Sequence, residues 1–116
     1  MARQSVATRK ITLAGTALPP ESPNVDGDIV DTGASVFLLL SNIGAAPATA
    51  TVVSQATFGG LAVDDLVVPL AAGVSRVVGP IHTGTFGFPD GDTNAGRAFV
   101  NYTGTLADIK RSVLSY

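Results

Sequence analysis

The sequence predicts an all-β fold: an antiparallel β-sandwich or jelly-roll-like barrel of about seven or eight short strands, carrying an extended N-terminal arm. Two observations lead there. Short runs rich in Val, Ile, Leu, Thr and Phe recur at roughly 8–12-residue spacing, each bounded by Gly, Pro, Asp or Asn. Nowhere does an i, i+3, i+4, i+7 apolar pattern persist over about eleven residues, so helix is a minor element. At 116 residues the chain is expected to form one domain. Residues 1–24 form the arm and a Pro-rich link, and residues 25–116 the β domain.

Arg3, Arg9 and Lys10 open the chain, and Pro19, Pro20 and Pro23 close its first segment. Proline removes backbone donors and favours extended geometry, so no helix runs through this link. Between them Ile11-Thr12-Leu13 alternates as a strand does, and its two apolar side chains need burial somewhere. Asp26-Gly27-Asp28 and Asp31-Thr32-Gly33 mark tight turns, because Gly accepts positive φ and Asp bonds its own backbone.

Val36-Phe37-Leu38-Leu39-Leu40 is the most apolar run. An uninterrupted apolar strand implies burial on both faces, hence a mid-sheet position with one face against a partner. After a turn over Asn42–Pro47, the β-branched bias of residues 48–54 predicts another strand. The segment 57–65 is where a single helical turn fits best. Leu66–Leu70, a turn at Ala71-Ala72-Gly73, Val74–Val78 and a stop at Gly79-Pro80 follow. A Gly- and Asp-rich loop leads to Ala98–Tyr102. Residues 107–116 read as the last strand, with Ile109, Arg111 and Val113 on one face.

Charged residues make up 14% of the chain, against roughly 25% in ordinary soluble domains, and mean hydropathy is positive. No apolar run approaches the roughly 18 residues of a membrane span. A weakly charged β domain of this kind is expected to have much of its surface covered by partners, including copies of itself. The absence of cysteine excludes a disulfide framework and thiolate metal sites. No 7–15-residue apolar stretch follows the first basic residue as it would in a secretory signal, so synthesis is expected in a cytoplasm. A net charge of −2 gives no steering toward nucleic acid, and Lys110 with Arg111 makes too small a basic patch to hold it against salt.

No catalytic constellation is legible. His82 is the only histidine, and the sequence places neither a nucleophile nor an orienting carboxylate beside it. Asp64-Asp65 would point to opposite faces of an extended chain, so they read as a polar turn. Asp90, Asp92 and Asn94 set oxygen side chains at alternate positions, as the first half of a calcium loop does, with Asp26 or Asp28 as further ligands. The Gly and Glu that such a loop requires at its sixth and twelfth positions are Ala95 and Asn101 here, so the expectation is an ordinary turn-rich loop. No cofactor is expected.

Several of these features together resemble small accessory virion proteins of tailed bacteriophages. The resemblance spans roughly residues 25–105. It is carried by Leu66-Val67-Val68-Pro69-Leu70-Ala71-Ala72-Gly73, by Arg76-Val77-Val78-Gly79-Pro80, by Phe88 with Asp90-Gly91, and by Phe99-Val100-Asn101-Tyr102-Thr103. It implies a non-enzymatic decoration (cement) protein on the outer surface of a phage capsid, bridging neighbouring major capsid subunits, with the virion as its location. Tail or head–tail positions occur in the same group. An arm that adds a strand to a capsid-protein sheet would gain affinity from backbone hydrogen bonds, with residues 8–14 as the candidate strand. Arg3, Arg9, Lys10, Ile11 and Leu13 are the contact candidates. The alternative is a virion-surface or tail-associated module that binds host carbohydrate.

Overall fold

The computed structural model describes residues 3–17, 21–89 and 91–116. Leu18 to Pro20 of the expected link, and Asp90 of the expected calcium loop, lie outside them. The chain is mostly β and builds two mixed sheets of five and four strands. In chain order the strands are β1 (Gln4–Ser5), β2 (Thr8–Lys10), β3 (Asp28–Asp31), β4 (Val36–Asn42), β5 (Ala48–Val52), β6 (Thr57–Phe58), β7 (Leu61–Ala62), β8 (Leu66–Leu70), β9 (Ser75–Val78), β10 (Arg97–Thr103) and β11 (Ile109–Ser115). The five-stranded sheet runs β1-β3-β10-β5-β8 and the four-stranded sheet β2-β11-β4-β9, with β6-β7 as a separate hairpin.

The expected barrel does not form. Among the described residues each sheet ends in unpaired edges, β1 and β8 in one, β2 and β9 in the other. The chain passes repeatedly from one sheet to the other between consecutive strands, so no ladder closes on itself. The N-terminal segment also divides between the sheets. β1 pairs parallel with β3, Val6 is buried at the crossing, and β2 pairs parallel with β11.

Alternation decides which residues form the core. Along β4 the inward set is Val36, Leu38, Leu40 and Asn42, and along β11 it is Ile109, Arg111 and Val113, as the sequence predicts. The five-stranded sheet contributes smaller side chains, among them Ala48, Ala50, Val52, Ala98 and Val100, to the same cluster. Leu38 and Leu40 are fully inaccessible, and burying each is worth about 1.5–3 kcal/mol. Leu70 and Ile81 belong to the same cluster.

One expectation about helix is corrected. Segment 57–65 is not a helical turn but the β6–β7 hairpin. Its two-residue turn, Gly59-Gly60, has φ of 60° and 84°, the left-handed pair that suits the twist of a hairpin. The helical turn, α1, instead covers Thr83–Phe86. Phe86 packs against the core, and the Thr85 carbonyl accepts from the Gln55 and Ala56 N–H groups at 3.0 and 3.1 Å. The last strand starts at Ile109 because Leu106–Asp108 forms a 3-10 turn before it.

Candidate functional site

Three places in the molecule combine special residues: a buried ion pair between the sheets, the outer face of the four-stranded sheet, and the loop end near α1.

Arg111 faces inward with Ile109 and Val113, and only 2% of it is exposed. A guanidinium there requires a carboxylate. Asp28, at the start of β3 in the opposite sheet and itself fully buried, supplies it. Arg111 Nε donates to Asp28 Oδ2 at 2.7 Å, and Nη2 reaches Oδ1 at 3.4 Å. The pair therefore ties the two sheets together across the core, and Asp28 is committed to it and not to a metal. The Tyr102 hydroxyl is buried nearby without a hydrogen-bond partner of good geometry. Burial, reinforced by the Asp28 charge, pushes its phenol well above the usual tyrosine range.

On the outer face of the four-stranded sheet, register places Phe37 beside Leu114, and Leu39 between Ser112 and Val77. Tyr116 stacks on Phe37 with ring centroids 5.9 Å apart. Phe37 and Leu39 are only half-buried, and Val77 is 63% exposed. The uninterrupted apolar run of β4 thus has its inner half packed and its outer half partly covered, by Leu114 and the Tyr116 ring, with Val77 left exposed beside it. At one margin, Ser41 Oγ and Ser75 Oγ lie 2.8 Å apart and Lys110 Nζ donates to Ser22 Oγ at 3.0 Å. The outer face of the other sheet is mixed: Thr49, Thr51, Asn101 and Thr103 form paired rows, and Val67, 58% exposed beside Thr51, and Pro69 beside Thr49 lie on the same face.

The five N-terminal candidates separate. Arg3 is taken up internally, with its guanidinium 4.1 Å from the Phe99 ring centroid and Nη1 donating to the Val100 carbonyl. Arg9 and Lys10 are exposed on β2, where Arg9 is in register with Leu114 at the edge of the apolar face. The Ile11 N–H donates to the Ser115 carbonyl at 2.6 Å just past the end of β2, and its side chain is exposed. Leu13 is fully exposed beyond it.

The loop end holds the remaining sequence candidates. Asp92 accepts the Asn94 N–H at 2.8 Å, the Asx turn expected of a loop, and among the described residues no group of three metal-ligating side chains occurs. His82 is exposed at the start of α1 and makes no capping bond. Between this loop and α1 lies a cavity of about 390 Å³, lined by Gln55, Thr83, Phe88, Pro89 and three glycines. Sequence reading missed both the cavity and the ion pair. For the pair one signal was present: the alternation that placed Arg111 among core residues.

No helix among the described residues is long and apolar enough to cross a membrane. Comparison with protein-family models, with curated proteins and with solved structures returns no match to this chain.

Proposed function

We propose that the chain is a non-enzymatic virion structural protein, a decoration protein that binds the outer surface of a tailed-phage capsid and stabilises contacts between major capsid subunits. The partly exposed apolar outer face of the four-stranded sheet carries this reading. Phe37, Leu39 and Val77 form a patch that is costly to leave in water unless a partner covers it, and Arg9, in register with Leu114, lies at its margin. In this reading the two sheets form a sandwich, and the N-terminal arm contributes through the exposed Arg9, Lys10, Ile11 and Leu13. Apolar contacts that span two capsomers raise the energy needed to separate them. β2 already pairs with β11 on one edge, so a capsid strand would add to its other edge.

The test is co-sedimentation with capsids of the matching phage. Leu39→Asp combined with Val77→Asp should lower capsid affinity at least tenfold, because central apolar contacts carry roughly 2 kcal/mol or more at an interface. An unchanged melting temperature verifies the fold. Ile11→Ser with Leu13→Ser tests the arm without removing β1 and β2 from the sheets. Full capsid binding by the Asp variant would refute the docking face. Binding to host glycans with none to capsids would refute the decoration role.

A further inference from the structure

We propose that the chain forms a two-fold dimer through β9, which pairs antiparallel with β9 of a second copy so that the two four-stranded sheets join edge to edge. The dimer goes beyond the decoration role and stands without it.

The direction of the free backbone groups singles out this edge. In an antiparallel ladder, residues that exchange hydrogen bonds with the neighbouring strand alternate with residues whose N–H and C=O groups turn away from it. The Asn42 N–H donates to the Val74 carbonyl, and the Ile81 N–H to the Val36 carbonyl, both at 2.9 Å, so the even-numbered residues of β4 bond toward β9. Their register partners Arg76 and Val78 therefore bond toward β4, and the N–H and C=O groups of Ser75 and Val77 point to the open side. Among the described residues no strand pairs with that side.

The other edges offer less. The Val53 N–H donates to the Phe99 carbonyl, which directs the odd-numbered residues of β5 to β10 and the even-numbered ones to β8. The backbone groups of Val67 and Pro69 then face outward on β8, and at Pro69 there is no hydrogen to give. A proline so placed leaves the intramolecular ladder whole and blunts the edge. β1 and β2 have two and three residues against the four of β9. The edge of β9 is thus the longest one with its donors intact.

Side chains choose the register. Ladder bonds require Ser75 and Val77 to face the outward-bonding residues of the copy. An axis through Arg76 satisfies this but sets two guanidinium side chains directly opposite each other, a destabilising like-charge pair. An axis through Ser75 leaves Val77 opposite Gly73, outside the strand. An axis through Val77 sets Arg76 opposite Val78 of the copy and gives two hydrogen bonds between the Val77 backbones. Val77 is 63% exposed and lies in register with Leu39, so this axis joins Leu39 and Val77 of both copies into one apolar row. Each copy uses its β9 edge once, so assembly closes at two chains. A net charge of −2 sets little repulsion against it.

Sedimentation velocity of the full chain, without capsids, reads self-association apart from docking. A reversible dimer with a Kd of roughly 10–500 µM is expected, because strand-edge interfaces fall in the small, weak class. Val77→Lys sets two like charges on the axis at an exposed position. It should weaken association at least tenfold while keeping the circular dichroism spectrum of the parent. The chain has no cysteine, so single introduced thiols report the register. In a bonded pair the two Cα atoms are about 5.5 Å apart, within disulfide reach. Val77→Cys should therefore form linked dimers under mild oxidation at least tenfold faster than Ser75→Cys, whose thiols would lie roughly 13 Å apart along the strands. The proposal is overturned if the parent is monomeric at about 1 mM, a concentration that would reveal even a weak dimer. It is also overturned if Val77→Lys associates as the parent does, or if Ser75→Cys links as fast as Val77→Cys.

Discussion

Replacing Arg111 by Met removes one half of the buried pair and leaves the Asp28 carboxylate in the core without its partner. Both side chains are essentially inaccessible, at 1% and 0% exposure, and the short contact is 2.7 Å. Breaking a buried pair from one side costs about 3–5 kcal/mol, because the remaining charge keeps its desolvation penalty and loses its compensation. For a domain of this length, about 4 °C of melting temperature follows each kcal/mol, so a fall of roughly 12–20 °C is expected. Asp28→Val should cost a comparable amount by stranding the guanidinium. The double variant behaves differently: with both charges gone, stability should return to within about 1 kcal/mol of the parent or exceed it. Urea unfolding of the four proteins gives the coupling energy directly. If Arg111→Met costs less than about 1 kcal/mol, or if the double variant is as unstable as the sum of the singles, the two sheets are not tied by this pair.

Tyr102→Phe removes a buried hydroxyl that has no well-placed partner, so it should be neutral or stabilise by up to about 1 kcal/mol in thermal unfolding at neutral pH. The same phenol has its pKa raised in the folded state. Above pH of about 10 the unfolded chain therefore loses this proton while the folded chain keeps it, and stability falls by up to about 1.4 kcal/mol per pH unit. That alkaline slope should be shallower in Tyr102→Phe, and equal slopes would exclude Tyr102 as its source. Asn42 is 2% exposed and holds three backbone groups: its Nδ2 donates to the Ala46 and Leu70 carbonyls at 2.8 and 3.0 Å, and its Oδ1 accepts the Gly44 N–H at 3.0 Å. Asn42→Leu should cost roughly 2–3 kcal/mol in urea unfolding by stranding them.

Most strands of the β domain were legible because they are local statements, whereas β3 lay within a stretch that reads only as turns. Alternation and turn residues bounded β4, β5, β8, β9, β10 and β11 to within a few positions, and Ile109, Arg111 and Val113 shared the predicted face. The segment around Gly59-Gly60 was misread because consecutive glycines punctuate a helix end and a two-residue hairpin alike. Only the left-handed φ of both decides between them. The candidate docking face was half visible: the run Val36–Leu40 announced two apolar faces, and the sequence had no means of saying which one the chain itself would cover.

By itself, then, the sequence determined the β class, the approximate extents of six strands, the shared face of Ile109, Arg111 and Val113, and an apolar excess that a partner is suited to cover. These follow from a side-chain period of two and from turn chemistry, both of which act over a few residues. Tertiary structure alone decided that strands divide into two sheets rather than closing a barrel. It brought Asp28 to Arg111 across 83 positions, and it set Gln55, Thr83 and Phe88 around one cavity. Those are pairings between distant segments, fixed by which strands share a sheet, and no local pattern encodes which carboxylate a buried guanidinium will meet.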